Sequence, residues 1–162
     1  LPSPLPAWPG WNPPPWRNTN PPWRHTNPAK AQHELVKEER MLVVQISTVA
    51  RRQPPFPGGP TAATVILPGD SAQVAAVHVE IPAGSGLPEH DHGASEIVLI
   101  PLSGTAELRH DGQARALSAG MAAHVGRGER VSLANPGPEP ASLMVVASPA
   151  DFTRHVATWP AA

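Results

Sequence analysis

From Met41 onward this chain is built of short apolar runs broken every few residues by Gly, Pro or Asp, and that punctuation limits what it can fold into. A helix needs an apolar stripe recurring about every 3.6 residues over roughly ten or more positions, whereas a half-buried strand needs only about five or six residues with alternate side chains turned inward. The pattern therefore predicts an all-β domain. Strands are expected at Val43 to Val49, Ala62 to Leu67, Gln73 to Ile81, Glu96 to Ile100, Thr105 to His110, Gln113 to Leu117, Met121 to Val125, Arg130 to Ala134 and Ser142 to Ala147, with a Pro- and Gly-rich loop from Arg52 to Pro60. Asp111-Gly112 lies between two of these strands and supplies residue types that tolerate the two positive φ angles of a type I′ hairpin turn. Asn135-Pro136-Gly137 marks another turn. Ser148, Pro149 and Asp151 follow the order of an N-cap, a first-turn proline and an acid facing the helix dipole, so a short helix is expected over Pro149 to Thr158.

The first forty residues are a different material. Ten of the 23 prolines and four of the five tryptophans fall within residues 1 to 28, which include a seven-residue tandem repeat, Pro14-Pro-Trp16-Arg-Asn-Thr-Asn20 followed by Pro21-Pro-Trp23-Arg-His-Thr-Asn27. Proline removes backbone donors and fixes φ, so this stretch favours extended or polyproline II conformation and is expected to lack a fold of its own. It reads either as a tail without fixed structure or as a Trp-rich arm for a partner. The segment Lys37-Glu38-Glu39-Arg40 before Met41 admits purine-rich codons of the kind that precede a start codon. On that reading Met41 is the natural start and residues 1 to 40 are a translated leader or an added extension; the other reading of Gln32 to Arg40 is a short charged helix. The expected organisation is thus an extension at 1–40, a β domain at 41–147 and a helical tail at 148–162.

Twelve basic and thirteen acidic side chains leave a formal charge of −1, without the basic surplus that phosphate backbones demand, so nucleic acid is not an expected partner. With no cysteine in the chain, disulfides and thiolate metal sites are excluded, and a cytoplasmic location is the expectation. No apolar run has the length of a membrane span, so a membrane is not an expected partner either.

The chemistry concentrates in His90-Asp-His92-Gly-Ala-Ser-Glu96. Residues two apart on an extended segment point to the same side, so His90 and His92 can aim at one point, and Glu96 has matching parity. Two neutral imidazoles and a carboxylate suit one divalent transition ion (Fe, Mn, Ni, Cu or Zn) and leave positions open for water or substrate. A His-x-His pair in a solvated turn, flanked by Glu89 and Asp91, is the plainer alternative.

Reading outward gives Gly84-x5-His90-x-His92-x3-Glu96-x7-Gly104, then Gly120-x5-Gly126-x-Gly128-x2-Val131-x3-Asn135. This resembles the two motifs of the cupin superfamily, G-x5-H-x-H-x3 or x4-E-x6-G and G-x5-P-x-G-x2-H-x3-N, over residues 62 to 147. The resemblance implies a double-stranded β-helix, a jelly-roll barrel whose inner faces make a pocket, and a metal held by His90, His92 and Glu96. Three departures stand out: one residue too many between Glu96 and Gly104, Gly126 in place of proline, and Val131 in place of the fourth ligand, a His. His124 is the candidate replacement. If residues 126 to 129 form a hairpin loop, His124 faces Val131 across the strands and shares its sheet face; the alternative is a His packed elsewhere or solvated.

The expected function is a small metal-binding cupin acting on a small organic molecule, as a dioxygenase-like or isomerase-like enzyme in which Glu96 also serves as catalytic base. The alternative is a non-catalytic small-molecule-binding or regulatory cupin with weak or no metal. Edge strands in so small a barrel, and the resemblance, both favour a homodimer. His78 is expected on an outward polar face, the other reading being a base or ligand lining the pocket; His110 and His155 are expected in solvent, and Arg127 and Arg130 either at an exposed tip or against an anionic substrate.

Overall fold

The computed structural model describes residues 41–162, of which Leu42–Ala162 form one compact unit. The expectations for residues 1 to 40 lie outside the described residues. Nine strands follow in order: β1 Thr61–Ile66, β2 Ala75–Ile81, β3 Gly86–His90, β4 Glu96–Ser103, β5 Thr105–His110, β6 Gln113–Ser118, β7 Ala123–Val125, β8 Val131–Ala134 and β9 Ala141–Ser148. A short helix, α1, spans Thr153–Ala157. The strands form two antiparallel sheets, one ordered β1-β2-β9-β4-β7 and the other β3-β8-β5-β6, which is the expected jelly roll.

Alternation builds the core. Val77, Val79 and Ile81 of β2, Ile97 and Leu99 of β4 and Leu143 and Val145 of β9 meet Ala106, Leu117, Val131 and Leu133 of the opposite sheet in one buried cluster. Residues of the other parity turn outward. The β5–β6 hairpin turns on Asp111 and Gly112, with φ of 47° and 73°, as their residue types predict. Gly104 has φ of 69°, and a Cβ there would lie 2.5 Å from the Pro140 carbonyl oxygen, so this motif glycine is required both by its turn and by close packing. Asn135, the last residue of the second motif, is fully buried. Its side-chain amide donates to the carbonyls of Ile81 and Glu139, and its Oδ1 accepts from the Gly137 N–H.

Three local expectations are corrected. The stretch Val43 to Val49 forms no strand. It contains only a 3-10 turn at Ile46–Thr48, because this apolar run finds no strand to pair with and closes local bonds to the Gln45 carbonyl instead. The terminal helix is shorter than Pro149 to Thr158. Ser148 remains in β9, Pro149 is extended, and a 3-10 turn at Ala150–Phe152 precedes α1. Finally, β7 and β8 are not a hairpin. Residues 126–129 do make a tight turn, closed by Glu129 N–H to the Gly126 carbonyl at 3.2 Å and by Gly126 N–H to the Glu129 carboxylate at 2.7 Å. That turn carries the chain from one sheet to the other: β7 pairs with β4, and β8 pairs with β3 and β5.

Candidate ligand site at the barrel mouth

The two histidines of the cluster are brought inside by an irregularity in β3. Leu87 pairs with Leu133 and His90 with Val131, so two residues, Pro88 and Glu89, oppose the single Ser132. This bulge lets both Leu87 and His90 face inward, and Pro88, which has no N–H to donate, suits it. The Pro88 carbonyl accepts from His90 Nδ1 at 2.7 Å. Because a carbonyl only accepts, the neutral His90 ring carries its proton on Nδ1 and keeps Nε2 as an acceptor.

His92 follows in a pinned loop. The Asp91 carboxylate accepts from the Gly93 N–H at 2.9 Å, Ser95 N–H donates to the His92 carbonyl at 3.1 Å, and the buried Ser95 hydroxyl donates to the Pro149 carbonyl at 2.8 Å. His92 is only 8% exposed, and its Nδ1 is buried without a hydrogen-bond partner among the described residues. Its centroid lies 4.8 Å from that of His90 and 5.1 Å from that of Phe152. Burial lowers its pKa to about 4, His90 adds to the shift and Asp91 opposes it, so His92 is neutral at pH 7.

Glu96 and His124 lie elsewhere. Ile97 and Leu99 point into the core, so Glu96 and Val98 have the outward parity. His124 pairs with Val98 on that same outer face, and its Nε2 sits 3.2 Å from the Glu96 carboxylate. Their side chains are 62% and 52% exposed. The four expected ligands thus come together as two separate pairs, and among the described residues no three His, Cys, Asp or Glu side chains converge on a metal-sized point.

The inner pair sits between two spaces. A void of about 40 Å³ inside the barrel is lined by His90, His92, Ile97, Val131, Phe152 and Trp159, among others. An open groove of about 980 Å³ lies outside, and His90, His92, Phe152, Val156 and Trp159 line it too. The C-terminal segment is the partition. Phe152, Val156 and Trp159 recur at i, i+4 and i+7, a helical spacing that is the sequence signal for this segment. The segment is fastened by the Ser95–Pro149 bond at one end and by Gln53 N–H to the Pro160 carbonyl and Arg52 to the Trp159 carbonyl at the other.

His78 is on the outer face, as its parity predicts, yet it is buried there. Ser142 Oγ lies 2.7 Å from its Nε2, and Arg51 donates to its Nδ1 at 3.2 Å. A guanidinium cannot accept, so Nε2 carries the proton and donates to Ser142. The serine is therefore not activated, and this cluster fastens residue 51 to the sheet. Burial and then Arg51 hold the His78 pKa below its ordinary value, against Glu80.

The family model described as a cupin domain matches residues 77–147. This stretch is a cupin domain. The solved structures it resembles include a double-stranded β-helix protein from Klebsiella pneumoniae, with 23% identity and a TM-score of 0.59 over 70% of this chain and 94% of that one. A predicted oxalate decarboxylase from Thermotoga maritima has 20% identity and a TM-score of 0.59 over 66% and 98% of the respective chains. The polyketide cyclase RemF from Streptomyces resistomycificus has 19% identity and a TM-score of 0.59 over 71% and 94%. These likenesses establish the fold and leave the activity open. No curated protein matches this chain in sequence.

Within the cupin frame the register of the first motif becomes clear. Counted back from Gly104 by the motif's six intervening residues, the carboxylate position falls on Ile97, which is 2% exposed in the core, and not on Glu96. The extra residue between Glu96 and Gly104 was the signal for this. Val131, 3% exposed, fills the position of the missing His. Two imidazoles, an isoleucine and a valine do not fit the family's metal centre, since a tight divalent site normally takes three or four protein ligands. Among the described residues no helix is long and apolar enough to cross a membrane.

Proposed function

We propose that this cupin domain binds a small organic molecule at the barrel mouth without a metal, as a binding or regulatory module in place of the metal-dependent enzyme that the motif spacing suggests. The observation that carries this reading is the pair of hydrocarbon side chains, Ile97 and Val131, at the inward positions next to His90 and His92. They leave a half-apolar, half-imidazole cup suited to enclosing a ligand, with hydrogen-bond acceptors to orient it. A cytoplasmic homodimer belongs to the same proposal.

The test is metal analysis of protein purified without added metal, together with thermal melts in Fe, Mn, Ni, Cu and Zn. The expected result is substoichiometric metal and an unchanged melting temperature. A paired Ile97→Glu, Val131→His variant is expected to gain about one equivalent of metal and to melt higher when loaded. Near-stoichiometric metal in the unaltered chain sinks the proposal.

A further inference from the structure

The groove outside the His pair has a composition that selects among ligands. Phe56, Phe152 and Trp159 give it three aromatic side chains, and Leu87, Pro54 and Pro55 extend the apolar wall. Its three carboxylates share two guanidinium groups. Arg130 is held by Glu89 at 3.0 Å and by Asp91 at 3.6 Å, and Arg154 is held by Asp151 at 3.1 Å. Among the described residues, then, every guanidinium and carboxylate lining the groove already has an opposite charge beside it. An anionic ligand would have to break such a contact to find a guanidinium, and would meet one carboxylate more than there are guanidinium groups.

What remains unengaged at the floor is imidazole. The His90 Nδ1–H is spent on the Pro88 carbonyl, so its Nε2 asks for a donor. His92, more than nine-tenths buried, holds a ring nitrogen without a partner among the described residues. Aromatic walls, guanidinium groups already engaged by carboxylates and an acceptor floor favour a flat ligand without negative charge and with one hydroxyl at its end.

Resting on the metal-free reading above, we propose that the ligand is a neutral aromatic or enolic alcohol, its ring lying between Phe152, Trp159 and Phe56 and its hydroxyl donating to His90 Nε2. The hydroxyl distinguishes this class from a plain hydrocarbon, and the paired charges distinguish it from carboxylates and phosphates.

The experiment is an amide and indole NMR titration of the full, isotope-labelled chain at pH 7 in EDTA, using 2-naphthol, its methyl ether and 2-naphthoate. We expect shifts at Trp159 and around His92, with 2-naphthol binding about tenfold more tightly than either of the others, the worth of one buried hydrogen bond. This comparison uses the unaltered chain, so it does not depend on a variant folding. His90→Phe keeps a ring but removes the acceptor, and is expected to bring naphthol down to the affinity of its ether. Equal or tighter binding of naphthoate, or of the ether, overturns the inference. If naphthol binds only after Zn or Fe is added, the metal-free reading fails and the ligand class stands. If no probe binds with or without metal, the ligand class fails, and the metal-free reading is decided by the metal titration.

Discussion

His90 with His92 and Glu96 with His124 are two pairs drawn from the same small set of side chains, with Glu96 only four residues after His92, and their environments are opposite. The inner pair lines a void and a groove, with one ring almost wholly buried. The outer pair is a hydrogen-bonded contact more than half exposed on each side chain. A strand of period two separates them: Glu96 and Ile97 are neighbours in sequence, yet one faces water and the other the core. Residue type therefore says what a side chain can do, and parity says whether it does it at the site.

The sharpest way to break this comparison is to exchange the two environments. Ile97→Glu puts an unpaired carboxylate in the core and is expected to destabilise the domain by about 3–5 kcal/mol in chemical denaturation. A cost near zero would mean that position 97 is open to water and that the inner and outer faces are less distinct than described.

A smaller effect comes from protons. His92 has its pKa lowered from 6.5 to about 4 in the folded state, so between those values the unfolded chain binds more protons. Its contribution is fully present above about pH 6.5, is lost as pH falls towards 4, and changes no further below that. Melts across this window should flatten in His92→Gln. An identical slope in the variant would assign the proton uptake elsewhere.

The smallest effect belongs to the outer pair. His124→Ala removes one exposed polar contact and should shift stability by less than about 1 kcal/mol. It should leave ligand binding at the groove unchanged, as read by the same NMR titration. A lost ligand response would tie the two faces together.

Much of the fold is legible without coordinates. The Asp111-Gly112 turn and eight of the nine strands among the described residues follow from local alternation and turn chemistry, which are short-range properties, and the two-sheet barrel is what the motif resemblance implies. The first strand expected, at Val43 to Val49, failed because strand propensity is satisfied only when a neighbouring edge is there to pair with. β3 carries no strand signal in the sequence because its Pro88 bulge spoils the alternation that marks a strand. The candidate site was half legible. His90 and His92 stand out as a pair, whereas Glu96 seemed to join them because parity was counted through a loop, and residues 91 to 95 are not extended. His124 was placed against Val131 by assuming that a tight turn joins strands of one sheet.

The sequence by itself determined the β architecture, the absence of thiolate chemistry, the imidazole pair and the lack of a His at position 131, because these are properties of residue type and nearest-neighbour spacing. Only the tertiary structure decided which face each side chain occupies, which strand β7 adopts as its partner, and that Phe152, Val156 and Trp159 close the barrel mouth. Those outcomes depend on contacts between residues far apart in the chain, where a shift of one position turns a ligand outward and a hydrocarbon inward.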